Sequence, residues 1–493
     1  LRKIGKDEII PSMEHRLFDF KNKKILVMGL GSLGGGIAAT KWLVRHGAKV
    51  TVTDSRSREK LKDSIKKLGS AAKKVKFVLG EHREADFKNN DIVVVNPAVP
   101  HESKYLAIAR KHKKLLVNDA QLFFDTVQNP IVAVTGTRGK TTTTNWIAHF
   151  LKFKHLQAVA AGNSSDVALL ALTDKLKDKK NPAVVELSSW QLELLPGAKR
   201  APDVAIITNI YPDHLNRYES IKDYASAKAN IFRGQDKSQN LILNADNSWT
   251  RFFLKFRPAS GILFFSKKSL AKNQNGIFIM NGAIYFRDGG QAEKVISERI
   301  IREFSFRGEH NVENLLASLL ASHLLGMDWA VLAKKIGTLP DILYREEVIM
   351  KKKNLMVVND SAGTSPDAVI AAIKRFVPQG NTILITGGTD KNLDFGDLAG
   401  VMKKYLKPEN AYFLNGSATK KLVTTLKRVG YFGKKPPQVY EDLTEILAFV
   451  KAAINPKRGT TVVFSPGAAS FEKFKNEFDR GEKFNLYSKQ ILN

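Results

Sequence analysis

The chain of 493 residues contains no cysteine. Disulfides, thiolate nucleophiles and thiolate metal sites are thereby excluded. No apolar run approaches the ~20 residues of a membrane span, so no membrane insertion is expected. The opening stretch, LRKIGKDEIIPSMEH, has no apolar core of the kind a secretory signal carries. It does not begin with Met, which suggests a processed or truncated start, and with no targeting signal the expected compartment is the cytoplasm. Acidic residues are scarce: 48 Asp and Glu against 78 Lys and Arg leave a formal charge of +30. Such a chain attracts anions. Its lysines are scattered, as in KLKDKK, KKSLAKNQ and KRVGYFGKK, without a basic tail or interleaved aromatics. A solvated lysine-rich surface is the expectation, and no nucleic-acid motif or partner accompanies the charge.

What is present is an ordinary globular composition, 43% hydrophobic, at a length that implies several domains. Three α/β blocks follow one another. The first runs strand, glycine turn, helix, strand in ILVMGLGSLGGGIAATKWLVRHGAKVTVTDSR, then continues with VKFVLG, DIVVVNPAV and KLLVND. The second opens with the strand IVAVTG and the helix KTTTTNWIAHFLKF, followed by the buried strands AVVELSSW, VAIITNI and NLILNAD. GIFIM and AIYFRD read as an antiparallel extension, and HNVENLLASLLASHLLG as an apolar helix. The third alternates again through NLMVVND, AVIAAIKRFV, TILITGG, AYFLN and TTVVFSP. Boundaries fall at 1–128, 129–340 and 341–493. The fold class is α/β in three domains: a Rossmann-like first, a central P-loop ATPase-like mixed sheet, and a Rossmann-like third.

The most informative stretch is Gly136-Thr137-Arg138-Gly139-Lys140-Thr141-Thr142, between a strand and a helix. Backbone N–H groups of such a turn point at phosphate oxygens. Lys140 suits the β- and γ-phosphates, and the Thr141 hydroxyl suits Mg²⁺. A glycine turn whose threonines merely cap a helix is the plainer alternative, but GKT after an apolar strand is fairly specific, although the early glycine of the longer P-loop pattern is missing. Glu186 ends one further buried strand and Asp213 and His214 follow another, where α/β proteins place ligands. Glu186 and His214 offer oxygen and nitrogen donors for a divalent ion. In the first block, Gly29-Leu30-Gly31-Ser32-Leu33-Gly34 fits GxGxxG with Asp54 twenty residues on. By pattern alone that is a dinucleotide site, and a nicotinamide-dependent oxidoreductase is the reading it favours; that reading leaves the second and third blocks unexplained.

TGTRGKTTTT, ELSSWQLE, NIYPDHLNRY with YASAKANIF, GEHNVENLLAS, YREEV with VVNDSAGTSPDA, TGGTDKNLDF and SPGAASFEKFKNEFDRG together resemble the Mur ligase family, from Lys24 to about Leu492. The first and last blocks are most similar to its D-glutamate-adding member. The resemblance implies an ADP-forming acid–D-amino-acid ligase of peptidoglycan precursor synthesis, acting through an acyl phosphate. It implies ATP, two Mg²⁺ sites and a CO₂-derived carbamate on Lys228. Its implied partners are UDP-N-acetylmuramoyl-L-alanine and D-glutamate, in a monomeric enzyme. By motif match, Lys140, Glu186, His214 and Lys228 are catalytic. Thr141, Glu186, His214 and Lys228 serve the metal. Asn311, Asn314, Arg345 and Asp360 join the 136–142 turn around ATP. Ser32, Leu33, Asp54, Ser55, Arg56, Asn96, Asn163 and His214 take the UDP substrate. Thr364, Lys391, Ser470, Phe471 and Phe478 take the amino acid.

The chain departs from the family pattern in five places, one of them an insertion of DIL after Pro340. Arg138 stands where Asn is usual, Ala362 where a D-glutamate-adding enzyme has lysine, and Tyr344 where His precedes the arginine. The acidic and aromatic positions before Asp479 are exchanged. These bear on which amino acid is added, so a paralogue adding another amino acid stays open, as does a non-catalytic nucleotide-binding protein.

Overall fold

The computed structural model describes residues 19–32, 34–154, 156, 158–162, 167–214, 217–305, 307–454 and 459–493. Three sheets organise it. The first contains β1 (Lys24–Met28), β2 (Lys49–Asp54), β3 (Val75–Leu79), β4 (Ile92–Val95) and β5 (Leu115–Val117), in the order β3-β2-β1-β4-β5. All its pairings are parallel. The order reverses beside β1, so the loops after β1 and β4 flank a crevice at the carboxyl ends of the strands. That is where open α/β sheets bind ligands.

The second sheet holds β6 (Ile131–Thr135), β7 (Val159–Gly162), β8 (Ala183–Glu186), β9 (Val204–Ile207), β10 (Asn240–Asn244), β11 (Gly261–Ser266), β12 (Gly276–Met280), β13 (Ala283–Arg287) and β14 (Glu293–Ile296). Its order is β14-β13-β12-β11-β10-β9-β6-β8-β7. β12, β13 and β14 pair antiparallel, the extension expected from the sequence. β6 pairs in parallel with β8 on one side and β9 on the other. All five of its residues are buried, which is why IVAVT reads as an unbroken apolar run rather than an alternating one.

The third sheet is built from β15 (Glu347–Lys352), β16 (Leu355–Asn359), β17 (Asn381–Thr386), β18 (Ala411–Leu414), β19 (Gln438–Tyr440) and β20 (Thr460–Phe464), in the order β15-β16-β20-β17-β18-β19. The antiparallel edge strand β15 is the one exception to parallel pairing. Loops after β16, β20 and β17 therefore emerge side by side. Apolar clusters cover both faces, one around Phe376, Leu398 and Phe413, the other around Ile385, Leu447 and Phe464.

By compactness the chain forms two units. One comprises residues 1–299 and 313–335 and carries the first two sheets; the other comprises 300–312 and 336–493 and carries the third. The first two sheets share one unit because one apolar core is continuous between them, from Val27, Trp42 and Leu43 through Phe123 and Phe124 to Leu170, Ile207 and Phe232. The helix Asp119–Thr126 is central to this merger. Its cap Asn118 accepts from Gln121 N and donates Nδ2 to the carbonyl of Gln191 at 2.7 Å.

Phe123 is fully buried in that shared core. Phe123→Ala should cost about 3–5 kcal/mol, as truncation of a packed aromatic does. Urea unfolding of the full chain measures it; a loss below about 1 kcal/mol would show that the helix does not hold the core together.

Candidate functional site

The turn after β6 is built for an anion. Gly136 has φ 143° and Gly139 has φ 80°, conformations that side chains resist. Space forbids a side chain as well: a Cβ at Gly136 would strike the Thr208 hydroxyl, and one at Gly139 would strike Asn314 Oδ1. Gly139 is the N-cap of the helix Lys140–Leu151, so the positive helix end faces the turn. The turn is braced from β9 onward. Thr137 N donates to the Asn209 carbonyl at 2.9 Å and Arg138 N to Asn209 Oδ1 at 2.9 Å. The Thr208 hydroxyl donates to the Arg138 carbonyl at 2.6 Å. Lys140 Nζ folds back to the Thr137 carbonyl at 3.0 Å. Asn314 reaches the same helix, with Thr143 Oγ1 3.5 Å from its Oδ1.

Beside the turn sits a set of hard donors. The Thr141 hydroxyl donates to Glu186 Oε2 at 2.8 Å, and Glu186, ending β8, is 2% exposed. Lys228 lies on the helix Ile221–Ala229 and is 1% exposed. Its Nζ bonds the Thr135 hydroxyl at 3.3 Å and stands 4.7 Å over the Tyr224 ring. Burial, and then the charge of Lys140, push the Lys228 ammonium well below its ordinary value, while Asp213 and Glu186 oppose them. His214 has φ 54° and a half-exposed side chain; its ring lies 5.9 Å from Tyr224 and 5.3 Å from Trp190. Tyr224 thus has Lys228 and His214 as neighbours, and its hydroxyl donates to Thr137 Oγ1 at 3.3 Å. Among the described residues no cluster of three His, Asp or Glu forms a ready-made metal cage. The hydroxyl of Thr141 and the carboxylate of Glu186 nonetheless match the oxygen preference of Mg²⁺, which keeps few protein ligands beside phosphate.

In the first sheet the GxGxxG turn is equally constrained. Gly29, Gly31 and Gly34 have φ 90°, 69° and 106°. Asn96 after β4 donates Nδ2 to the Gly29 carbonyl at 3.1 Å, closing the crevice at the strand-order reversal. Asp54 is 4% exposed and accepts from Gly31 N at 3.3 Å and from Arg56 through Nε at 3.1 Å and Nη2 at 2.9 Å. Burial alone would raise its carboxyl; the hydrogen bonds from Arg56 and Gly31 outweigh it and hold the pKa below the usual carboxylate value. Ser32 and Ser55 are exposed beside this pair. Leu33 and Asn163 lie outside the described residues.

In the other unit, Asp360 follows β16, accepting from Ser465 Oγ at 2.6 Å and Glu346 N at 3.2 Å. Arg345 is exposed, and its charge reaches Asp360. Asn311 donates Nδ2 to the Arg307 carbonyl. Lys391 Nζ lies 3.3 Å from Thr364 Oγ1. Loops 389 and 469 are tied by reciprocal backbone bonds of 3.0 Å between Thr389 and Ala469. Ser470 is buried and its hydroxyl has no hydrogen-bond partner. Phe471 is 67% exposed, whereas Phe478 is half-buried 6.2 Å from the Tyr344 ring. Sequence reasoning missed Thr208, Asn209 and Tyr224, which brace the phosphate turn. Each reaches the turn from about seventy or more positions away, and no local sequence signal marks that contact.

A strand-end glycine cradle with a lysine and a hydroxyl–carboxylate pair defines a P-loop protein of the α/β class. Residues 134–322 match the model of the Mur ligase middle domain, and residues 23–117 match that of the Mur ligase MurD-like N-terminal domain. The UDP-N-acetylmuramoylalanine–D-glutamate ligase of Borreliella afzelii (strain PKo) is 36% identical over 95% of this chain and 98% of its own length. The chain belongs to the Mur ligase family. Two solved structures share its fold: UDP-N-acetylmuramate-alanine ligase MurC from Thermotoga maritima, with TM-score 0.57, 21% identity, and coverage of 95% of this chain and 100% of that one, and the MurF ligase of Thermotoga maritima in complex with ADP, with TM-score 0.54, 17% identity, and coverage of 97% and 96%. Among the described residues no helix is long and apolar enough to cross a membrane.

Burial, then the neighbouring Glu346, raise the Asp360 carboxyl from 3.8 to about 7. The folded chain therefore holds that proton more tightly than the unfolded one. Its stabilising contribution is full below about 3.8 and is lost as pH rises through about 7. Asp360→Asn removes the loss, so the melting temperature of the variant relative to wild type should rise between about pH 5 and about pH 8. A difference that stays constant across that range would contradict the burial of an ionisable group there.

Proposed function

We propose that this chain is an ADP-forming ligase that joins D-glutamate to UDP-N-acetylmuramoyl-L-alanine, working in the cytoplasm as a monomer. The observation that carries the reading is the convergence, at the ends of β6 and β8, of a phosphate cradle with Thr141, Glu186 and Lys228. The name of the Borreliella relative supplies the substrates, and the ADP held by the MurF ligase supports the nucleotide. In this reading residues 1–128 hold the UDP substrate, 129–340 the ATP and 341–493 the amino acid.

The chemical problem is that a carboxylate is a poor electrophile. Transfer of the γ-phosphoryl group from ATP to the terminal carboxylate oxygen of the alanyl substrate breaks the bond to ADP and forms an acyl phosphate. The deprotonated amine of D-glutamate attacks the carbonyl carbon, and inorganic phosphate departs as the amide forms. The protein's work is positioning and charge neutralisation. The turn 136–142 and Lys140 hold the phosphates. Thr141, Glu186, His214 and Lys228 are the residues that would hold Mg²⁺, which neutralises phosphate charge when bound. Asn314, packed on the P-loop helix, serves the adenine side. Asn96, Asp54 and Arg56 take the UDP group, and Thr364, Lys391, Ser470, Phe471 and Phe478 the amino acid. Lys228 is a poor cationic ligand as an ammonium. As a neutral amine it would add to CO₂ with loss of a proton, giving a carbamate whose oxygens would serve as ligands for Mg²⁺. Its complete burial favours the neutral amine that this addition requires.

ADP release with ATP, Mg²⁺ and UDP-N-acetylmuramoyl-L-alanine, adding amino acids singly, tests the reading. D-Glutamate should be required; release driven by a different amino acid would replace the substrate, and no release with any would remove the ligase assignment. Lys228→Ala should lower kcat by about 10²-fold or more, with no recovery in bicarbonate and partial recovery with short carboxylates. Full activity in that variant would remove the carbamate.

A further inference from the structure

The unit that carries the third sheet buries a cation without a carboxylate beside it. Arg480 stands in the first turns of the helix Glu477–Ile491, whose start is fixed by Asn476, accepting from Phe478 N at 3.0 Å and Asp479 N at 2.9 Å. Arg480 is 0% exposed. Among the described residues it forms no ion pair within 4.0 Å. Its Nη1 donates to the carbonyls of Ala468 and Ala469, both at 3.0 Å, and its Nη2 to the carbonyl of Ser361 at 2.8 Å. Its Nε is buried without a partner. The hydroxyls of Ser361 and Ser470 are likewise buried without partners.

These groups share one place. Ser361 follows β16, Ala468–Ser470 follow β20, and Gly388 after β17 is so close that a Cβ there would sit 3.5 Å from Arg480 Nη1. A Cβ on Gly481 would strike the Ser361 hydroxyl, and its next contact would be the Tyr344 ring, which lies tilted 6.2 Å from the Phe478 ring. Three loops thus meet around one guanidinium, and they are the loops that carry Thr364, Lys391 and Ser470. Burial lowers the guanidinium to about 10, still protonated at neutral pH, with Glu477 and Asp360 opposing at longer range. A buried charge and several orphan donors are costly for a fold to keep, and each of the three orphan groups is a donor of the kind an acceptor-only anion takes.

We propose that Arg480, with the Ser361 and Ser470 hydroxyls, makes the loop cluster after β16, β17 and β20 selective for an amino acid bearing a second carboxylate. Arg480 is a positioning residue: it ties the three loops through their carbonyls and supplies a fixed positive field in a site of low polarisability. The inference rests on the reading that Thr364, Lys391 and Ser470 receive the amino acid.

The test is steady-state kinetics of the full chain, with the KM for D-glutamate and for ATP measured separately in wild type, Arg480→Met, Arg480→Lys and Ser361→Ala, each checked by thermal melting. Arg480→Met should raise the D-glutamate KM about tenfold or more, the equivalent of one lost charge-assisted contact, with the ATP KM within about twofold. Arg480→Lys should recover part of the loss, because it keeps the charge. Ser361→Ala removes a hydroxyl that bonds nothing in the protein, so its melting temperature should hold or rise while its D-glutamate KM increases about threefold. That variant decides the matter if Arg480→Met does not fold. An unchanged D-glutamate KM in any folded Met or Ala variant, or an equal rise in both KM values, overturns the proposal. Wild type with no D-glutamate-dependent ADP release would instead remove the amino-acid reading itself.

Discussion

Pairing of β6 on both edges is the constraint on which the nucleotide-type site depends. Because β8 and β9 flank it in parallel, every residue of β6 is buried and three strand ends are forced to the same level. The chain must turn there, and the turn must leave room. Glycine at 136 and 139 provides that room, and the polar residues that end β8 and β9 are pressed against it. The result is a packed array of opposite tendencies: a helix N-terminus and Lys140 that favour negative charge, a buried Glu186 that supplies it, and a buried Lys228 that burial drives toward neutrality. Such an array is tolerable to a fold because each group has a neighbour of complementary character, and it is useful because phosphate and a divalent ion fit the same pattern of charges.

Much of this was legible in the sequence because it is local. A glycine turn between an apolar strand and a helix is a matter of a dozen adjacent residues, and so is GxGxxG after β1. Strand and helix existence followed from apolar runs and periodicity, including the antiparallel β12–β14 extension. What periodicity reports is where elements are, not whether neighbouring cores merge. The sequence reads as three α/β blocks, while the first two sheets share one core through Phe123, Phe124 and Leu170, because the faces of helices such as Asp119–Thr126 are apolar in a way that does not name their partner.

The braces were illegible for a related reason. Asn209, Thr208 and Tyr224 contact the phosphate turn across about seventy or more positions of sequence, and nothing in NIY or DYAS distinguishes a brace from a surface residue. Lys228 reads as an exposed helical lysine, and only its motif suggested otherwise; burial to 1% is a tertiary fact. Arg480 is the extreme case. KNEFDRG carries four charges in seven residues and reads as a solvated helix start, yet its arginine is turned wholly inward.

The two buried cations show how one residue class serves opposite ends. Lysine has a pKa near enough to neutrality that burial can remove its charge, which turns it into a nucleophile or a ligand precursor. The higher pKa of arginine keeps it charged under the same burial. At position 228 burial and the cation Lys140 outweigh the carboxylates Asp213 and Glu186, so the pKa of the ammonium is pushed down. At position 480 three carbonyls absorb part of the charge and the rest persists as a field. Exchanging the residues would exchange the outcomes: an arginine at 228 would hold a permanent positive charge against Lys140, and a lysine at 480 would bind three carbonyls only by sharing a single ammonium among them.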